Sequence, residues 1–263
     1  MKGNLTMAEF DRPTYAARAG SAAAVDQGLR SYMLRVYNYM AGGLVLTGLV
    51  AYFAYAAATT TDTANAVAQV GSGLYLTSFG AAIYTSPLMW LIVFAPLAFV
   101  LVLSFGIQRM SAGAAQLAFW AFAAVMGLSL SSIFLTYTGT SIARVFFISA
   151  ATFGAMSLYG YTTKRDLSAF GSFLIMGLIG IIIASIVNMF LASSALAFGI
   201  SILGVLIFVG LTAYDTQRIK LSYSESYGAA VLQKSAIMGA LSLYLDFINL
   251  FLMLLRLTGS QRS

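Results

Sequence analysis

The stretch KSAIMGALSLYLDFINLFLMLLRL, residues 234–257, decides the fold of this chain. It supplies the run of about 20 predominantly apolar residues that an α-helix needs to cross the hydrocarbon core of a bilayer. Its basic residues stand near the two ends, and its single acidic residue, Asp246, lies in the middle. The stretch therefore predicts a membrane-spanning helix that carries one carboxyl group inside the membrane.

Six other stretches are apolar over a similar length. The seven predicted spans are 36–57, 87–107, 113–137, 143–162, 169–191, 195–217 and 234–257. The composition agrees, because 60% of the 263 residues are hydrophobic and only 8% are charged, whereas a soluble domain carries about 25% charged residues. We therefore predict an all-α polytopic membrane protein. A seven-helix transmembrane bundle, residues 33–263, follows a polar cytoplasmic N-terminal tail, residues 1–32.

The N-terminal tail is polar and has no apolar run of the kind that a cleavable signal peptide carries. Around its end, apolar Leu29, Met33 and Val36 alternate with Arg30 and Arg35. This pattern predicts a segment that lies along the membrane surface near the start of the first span.

Composition also excludes several classes of site. The chain contains neither Cys nor His, which excludes disulfides, thiol nucleophiles, imidazole bases and typical zinc sites. The net charge of +6 does not indicate nucleic-acid binding, because no basic run exceeds two residues and the basic residues of membrane proteins concentrate at the cytoplasmic face. We predict no cofactor and no enzymatic activity.

The placement of Lys and Arg sets the predicted orientation, because cytoplasmic segments carry the excess of positive charge. With the N-terminus in the cytoplasm, 11 of the 14 basic residues lie inside and 3 lie outside, and segment 58–86, which has no Lys or Arg, lies outside. Seven spans then place the C-terminus outside as well. Arg256 and Arg262 at that end leave an alternative, in which the last segment is re-entrant or broken and returns the tail to the cytoplasm.

Two of the eight acidic residues fall within predicted spans, Asp215 at the inner end of the sixth and Asp246 inside the seventh. A carboxylate in the membrane costs at least about 2.5 kcal/mol on insertion scales, so such groups usually face the interior of a bundle and mark ion or proton pathways. We therefore treat Asp215 and Asp246 as candidate functional residues.

The seventh span also has a polar seam, in which residues recur at steps of four and three along one helix face. The seam consists of Ser235, Gly239, Ser242, Asp246, Asn249, Met253 and Arg256. A helix with one polar seam belongs at the centre of a bundle. Gly239, Ser242 and Asn249 are therefore candidates to line a pore beside Asp246. Small residues also serve close helix packing, which is the interpretation we favour for Gly239 and Ser242 taken alone.

The two aspartates are expected to be neighbours. Asp215 lies three residues before Arg218, near the cytoplasmic interface. A seventh helix that ends near Gln261 puts Asp246 about 22 Å from its outer end, in the inner half of the bilayer, provided that the segment around Lys234 lies in the cytoplasm or is irregular. Like charges in a low dielectric then share a proton. When both are ionised, Asp215 and Asp246 offer oxygen ligands that suit Ca²⁺.

Two stretches carry a resemblance to a known family. Tyr214-Asp-Thr-Gln-Arg-Ile-Lys220 and Leu241-Ser-Leu-Tyr-Leu-Asp-Phe-Ile-Asn-Leu-Phe251 closely resemble the last two helices of the Bax inhibitor family, the transmembrane Bax-inhibitor-motif proteins and their bacterial relatives. The seven-span layout extends the resemblance over residues 30–257. It implies a seven-helix fold with the last helix at the centre, in the bacterial cytoplasmic (inner) membrane.

The same resemblance implies a function. It implies a pH-sensitive Ca²⁺ leak that is closed through a pair of aspartates, which correspond to Asp215 and Asp246. It also implies that an Arg at the end of the second helix engages the first aspartate, and Arg109 is the residue that corresponds to it. The expected partners are membrane lipids and calcium ions.

Other functions stay open at this point. An intramembrane aspartyl protease also uses two aspartates on adjacent helices, but its second aspartate should follow Gly-x-Gly, and Asp246 follows Leu243-Tyr-Leu245. A proton-coupled transporter would be expected to show paired halves with broken helices. The one further polar site deep in a span is Asn188 with Ser185. We expect Asn188 to form a hydrogen bond with a neighbouring helix. A binding protein that modulates a membrane-bound protease, or another membrane partner, is compatible with every feature of the sequence.

The orientation gives a first testable prediction. A topology reporter inserted within residues 60–85 should report a position outside the cytoplasm, and one inserted at Lys164 should report a cytoplasmic position. A cytoplasmic signal from the 60–85 segment would overturn the orientation as a whole.

Overall fold

The computed structural model describes residues 12–71 and 73–262, and these residues are mostly helical. The helices are α1 (Arg12–Ala58), α2 (Ser78–Tyr84), α3 (Leu88–Gly106), α4 (Ala112–Leu130), α5 (Ile133–Thr136), α6 (Gly139–Thr162), α7 (Ser168–Leu191), α8 (Ser194–Leu221) and α9 (Ala229–Thr258). Three short strands, β1 (Thr59–Thr60), β2 (Ala68–Gly71) and β3 (Leu74–Leu76), lie between α1 and α2, with a 3₁₀ turn at Thr63–Asn65.

Seven helical segments of the described chain are long and apolar enough to cross a membrane. They are Asp26–Ala58, Leu88–Gly106, Ala112–Thr136, Gly139–Thr162, Ser168–Leu191, Ser194–Leu221 and Ala229–Thr258. Each contains most of one predicted span, so the prediction of an all-α, seven-helix membrane protein is confirmed.

The last helix lies at the centre of the bundle, as the polar seam predicted. In the most apolar window of α9, 61% of the residues are buried, against 11% in the corresponding windows of α3 and α7. α9 packs against α8, α1, α6 and α4. Its fully buried Tyr244 bonds Thr47 of α1 across an oxygen–oxygen distance of 2.7 Å, and the Thr47 hydroxyl donates to the carbonyl of Ala123 in α4. One polar chain thus joins three helices inside the apolar core.

Helix α1 continues well before the predicted start of the first span. It is one continuous helix, and the predicted span 36–57 is its C-terminal part. Met33 and Val36 are buried in the core of the bundle. The prediction that this segment lies along the membrane surface is therefore wrong: the alternation of apolar and basic residues reflects a helix with one buried face.

Short elements of secondary structure lie within segment 58–86. β3 pairs antiparallel with both β1 and β2, giving the strand order β1-β3-β2. The hydroxyl of Thr77 then caps α2 by accepting a hydrogen bond from the Gly80 amide at 3.1 Å. Strands of two to four residues are too short to show a recognisable alternation, which explains why the sequence did not reveal them.

The C-terminus lies at the same end of the bundle as segment 58–86. The amide of Ser260 donates to Ser141 Oγ at 2.8 Å, and the amide of Arg262 donates to the Thr136 carbonyl at 2.8 Å. The Arg262 guanidinium contacts the ring and hydroxyl of Tyr55, near the end of α1. α9 has 30 residues, about 45 Å of helix, and therefore crosses the whole bundle. The re-entrant alternative for the last segment is wrong.

Helices α6 and α8 approach each other closely at Gly160. A Cβ atom at this position would lie 2.2 Å from the Ala213 carbonyl oxygen, a backbone atom that cannot move aside cheaply. Gly154, also on α6, has open space around the same position. Of these two glycines on α6, Gly160 has a packing reason to be glycine and Gly154 has none.

Gly160→Ala should destabilise the protein by about 1–3 kcal/mol, the usual cost of overpacking a close contact. The matched control Gly154→Ala should be neutral or stabilising, because alanine favours a helix over glycine by about 1 kcal/mol. Thermal unfolding of both purified variants in one detergent measures the difference. Equal melting temperatures for the two variants would contradict this account of the α6–α8 contact.

Candidate functional site

The candidate site lies where the C-terminal turns of α8 pack antiparallel against the middle of α9. Asp215 of α8 and Asp246 of α9 are both buried, with 9% and 6% of their surfaces exposed. Their carboxyl groups are close enough to interact electrostatically. The structure thus brings the two predicted acids to one interface between two membrane-spanning helices.

A single guanidinium joins the two helices beside this pair. Arg218 Nη2 lies 3.1 Å from Asp215 Oδ1 and donates a hydrogen bond to Ser242 Oγ at 3.3 Å. Ser242 stands one helical turn before Asp246 on α9, so one cation links the acid of α8 to the seam of α9. Arg218 also lies over the ring of Tyr214, 5.6 Å from its centroid. From the sequence, Arg218 was expected only to mark the cytoplasmic interface, and its link between α8 and α9 was not predicted.

Arg109 does not hold the position that the resemblance implied. In this conformation the ion pair of Asp215 is with Arg218, and Arg109 lies in the turn after α3, a helix that packs mainly against α4 and α2. An arginine three residues after an aspartate on the same helix reaches it without any help from packing, so Arg218 is the locally favoured partner. A role for Arg109 stays a prediction.

Asp246 is the least compensated polar group in the described part of the chain. Its Oδ2 is buried and has no hydrogen-bond partner there. Most buried polar atoms are paired, because an unpaired one keeps its full desolvation cost. An orphaned carboxyl oxygen at the centre of a membrane bundle is therefore a feature that a purely structural role does not explain.

Two further residues of the seam, Gly239 and Met253, face α8. A Cβ at Gly239 would lie 3.0 Å from Ile219, and Met253 packs against Gly204. Asn249 donates to the carbonyl of Leu245 on its own helix. In this conformation Gly239 serves helix packing, as we favoured, and Ser242 accepts the Arg218 hydrogen bond. Pore-lining roles for Gly239, Ser242 and Asn249 stay predictions.

Every polar side chain that follows Asp215 on α8 is tied to another element. Thr216 bonds Ser157 of α6 at 3.0 Å. The side-chain Oε1 of Gln217 accepts a hydrogen bond from the backbone N–H of Leu167 at 2.9 Å, and its Nε2 donates to the Arg165 carbonyl at 2.8 Å. Lys220 donates to the Tyr161 carbonyl at 2.7 Å. The stretch 214–220 therefore fixes the end of α8 against α6 and the α6–α7 connection.

Lys234 is a second cation whose partners were not predicted from the sequence. Its ammonium donates to the carbonyls of Ile107, Gln108 and Met110 at 3.1–3.4 Å. These carbonyls lie at the C-terminal end of α3, where a positive charge is favourable. The segment around Lys234 is regular helix within α9. This excludes the irregular alternative, and its position in the cytoplasm stays a prediction.

The other polar residues of interest have structural partners. Asn188 Oδ1 accepts a hydrogen bond from the Ser193 amide at 3.0 Å, in the turn where Ala192 has a φ of 48°. It bonds this turn and not a neighbouring helix, contrary to our expectation. Asp166, outside the spans, accepts from Ser168, and these hydrogen bonds lower the pKa of Asp166 below its usual range.

The site offers few ligands to a metal ion. Within the described residues, no three His, Cys, Asp or Glu side chains are grouped so that they could hold a metal ion, and Ca²⁺ takes six to eight oxygen ligands. With Arg218 bound to Asp215, the two aspartates do not form a calcium cage in this conformation. Calcium ligation by Asp215 and Asp246 stays a prediction, for a state in which Arg218 has moved away.

Comparison with known proteins agrees with the fold and the motifs. The family described as "Inhibitor of apoptosis-promoting Bax1" matches residues 29–263. The chain is similar to the uncharacterized protein RP147 of Rickettsia prowazekii (strain Madrid E), 50% identical over 238 residues, which cover 90% of this chain and 93% of that protein. It is also similar to the inner membrane protein YbhL of Escherichia coli (strain K12), 46% identical over 248 residues, 93% of this chain and 98% of the relative. The uncharacterized membrane protein SpyM3_0260 of Streptococcus pyogenes serotype M3 is 37% identical over 234 residues, 89% of this chain and 94% of the relative. With the seven spans and the two aspartate stretches in place, the chain belongs to the Bax inhibitor family of polytopic membrane proteins.

Proposed function

We propose that this protein is a pH-sensitive calcium leak channel of the bacterial inner membrane, gated by Asp215 and Asp246. The observation that carries the proposal is the burial of two carboxyl groups at one α8–α9 interface, one of them with an orphaned oxygen. Acids of this kind inside membranes mark ion and proton pathways. The N-terminus lies in the cytoplasm in this proposal, which puts Arg218 and Lys220 at the cytoplasmic mouth.

The charges at the interface suggest how the protonation state of the two carboxyl groups could close or open the pathway. With one proton shared between the two carboxyl groups, the remaining negative charge balances Arg218, and the cluster is neutral in a low-dielectric site. Arg218 then holds α8 to α9 through Asp215 and Ser242. Full protonation removes the charge that attracts Arg218, so acidification should release this link and open the pathway.

Calcium enters this proposal as the transported ion. When Arg218 is displaced, the carboxylate oxygens of Asp215 and Asp246 can serve as transient ligands, with water completing the coordination shell. A site that supplies only two protein carboxylates binds weakly, and weak binding suits a leak because the ion must also leave.

A second candidate function is a modulator of a membrane-bound protease, or of another membrane partner, without transport. It is favoured by the outer helices: α3 and α7 are only 11% buried in their most apolar windows, so wide apolar faces are available within the membrane.

An intramembrane aspartyl protease has less support. Such an enzyme should carry Gly-x-Gly before its second aspartate, and Asp246 instead follows Leu243-Tyr-Leu245.

Asp246→Asn removes one titrating group and keeps the size of the side chain. Asp215 then has no like charge beside it and should stay ionised and bound to Arg218 between about pH 6 and 8. The calcium leak should therefore lose most of its pH dependence over that range. Asp215→Asn should also remove the pH dependence, and the double variant should add little, because both changes break one unit.

The measurement is Ca²⁺ flux into liposomes that contain equal amounts of folded protein, titrated across pH. Asp166→Asn is the matched control. The pKa of Asp166 is already below its usual range because Ser168 donates hydrogen bonds to it, so this acid stays ionised at neutral pH and its removal should leave the curve unchanged. If Asp215→Asn and Asp246→Asn both gave the same titration curve as wild type, the gating residues would be wrongly assigned. No flux from wild type at any pH would favour the modulator.

Arg218→Gln separates the ion pair in the structure from the one that the resemblance implied. A half-exposed ion pair of this kind stabilises the closed conformation by up to about 1 kcal/mol. Its loss should therefore raise the leak at neutral pH by up to about fivefold. Arg109→Gln should leave the leak unchanged, since Arg109 does not contact Asp215 here. The same liposome flux assay compares them. A raised leak in Arg109→Gln together with a normal leak in Arg218→Gln would show that the arginine of the second span is the true partner.

A further inference from the structure

An open cleft runs between α1 and α6 on the side of the bundle away from α7. Both helices pack against α9, but they barely touch each other. The cleft has a volume of about 620 Å³, within the range of small-molecule sites. Its floor is Phe247 of α9, and Phe153 of α6 and Met33 of α1 form part of its walls.

The polar groups inside the cleft are already satisfied by the protein. Tyr37 on α1 and Ser157 on α6 are 2.6 Å apart, and Ser157 lies 3.0 Å from Thr216. Because the Thr216 hydroxyl donates to the Thr212 carbonyl, Ser157 must donate to Thr216 and Tyr37 must donate to Ser157. The carbonyl of Tyr161 is bonded by Lys220. What the interior offers to a ligand is therefore an apolar surface.

The mouth of the cleft differs from its interior. Arg30 lines the cleft and is exposed. The salt bridge found in the described part of the chain, Arg218–Asp215, does not involve Arg30. The mouth lies at the same end of the bundle as the α8–α9 connection, since the neighbouring Tyr32 packs on Tyr223 of that connection. The cleft thus combines an apolar body with one positive charge at its mouth, which has no carboxylate partner among the described residues.

The length of the cleft is comparable to the depth of one leaflet of the bilayer. Its lining residues on α1 run from Arg30 to Leu44, about 21 Å at 1.5 Å per residue. Half of the hydrocarbon core of a bilayer is about 15 Å. An acyl chain that enters beside Arg30 can therefore follow the cleft over the full depth of the leaflet in which its headgroup sits.

We propose that the α1–α6 cleft binds an acyl chain of an anionic phospholipid, with the phosphate headgroup beside Arg30. The apolar walls match the acyl chain, and the charge of Arg30 complements the headgroup. This inference concerns a binding site on the outside of the bundle and does not depend on whether the protein conducts calcium.

Gly154 allows the cleft to be filled without disturbing the fold. It lines the cleft, and a Cβ at this position meets no atom within 4 Å. Gly154→Phe should therefore put an aromatic ring into the space that the acyl chain would occupy. Gly180→Phe is the matched control, because Gly180 lies on the exposed face of another spanning helix, α7, with equally open space around it.

The test is native mass spectrometry of detergent-purified protein mixed with equimolar phosphatidylglycerol and phosphatidylcholine of the same acyl chains. Wild type and Gly180→Phe should retain phosphatidylglycerol in preference, and Gly154→Phe should lose about 90% or more of it. Arg30→Gln should lower the preference for phosphatidylglycerol over phosphatidylcholine severalfold, whereas Arg35→Gln, on the same helix but outside this cleft, should not. Thermal unfolding and size-exclusion chromatography confirm that each variant is folded.

Three results would overturn the proposal. Equal lipid retention by Gly154→Phe and Gly180→Phe would show that the lipid binds elsewhere. A preference for phosphatidylglycerol that is unchanged in Arg30→Gln would remove the role of the charge. Conversion of a dimer to a monomer by Gly154→Phe alone, measured by light scattering, would assign the cleft to a second copy of the chain.

Discussion

The antiparallel contact of α8 with α9 is the constraint on which the rest of the structure depends. α9 is the most buried helix, and its seam is close to α8 along the whole contact, from Gly239 at Ile219 to Met253 at Gly204. Small residues on each helix allow the backbones to approach, and in a membrane this close packing, rather than the hydrophobic effect, holds helices together. Helices α1, α4 and α6 then pack around α9, and α7 is attached through α8.

The polar groups at this contact follow from its chemistry. Within the described part of the chain, the one ion pair, Asp215 with Arg218, lies here, and so does the orphaned oxygen of Asp246. Around them, Thr216, Gln217 and Lys220 bind neighbouring elements through hydrogen bonds. The neighbours are therefore held firmly while the two carboxyl groups are not fully paired, which is the arrangement expected of a site that changes its protonation state inside a rigid frame.

Much of this could be predicted from the sequence, and the reason is that helix periodicity is local. The spacing of the seam from Ser235 to Arg256 placed α9 at the centre, and the length of the apolar stretches gave the seven spans. Contacts that depend on how helices are juxtaposed could not be predicted in this way. The binding of Lys234 to the end of α3 joins residues more than 120 positions apart. The burial of Met33 and Val36 was not predicted because Arg30 and Arg35 interrupt the apolar pattern of this part of α1.

Arg218 shows how a local rule and a family resemblance can point to different partners. The spacing of three residues on one helix favours Arg218, whereas the resemblance favoured Arg109 and the structure shows Arg218. The ion pair alone would be worth little at a half-exposed position. It gains importance because the same guanidinium also reaches Ser242 of α9, so that a local pair becomes a link between helices.

The central claim is that Asp215 and Asp246 share a proton at neutral pH. Infrared difference spectroscopy of the protein in lipid measures this directly, through the C=O stretch of a protonated carboxylic acid, which ionised carboxylates lack. The account predicts that wild type shows this band at neutral pH, that Asp166→Asn keeps it, and that Asp246→Asn loses it because Asp215 then stays ionised beside Arg218. A wild-type spectrum without the band, or an unchanged band in Asp246→Asn, would contradict the account.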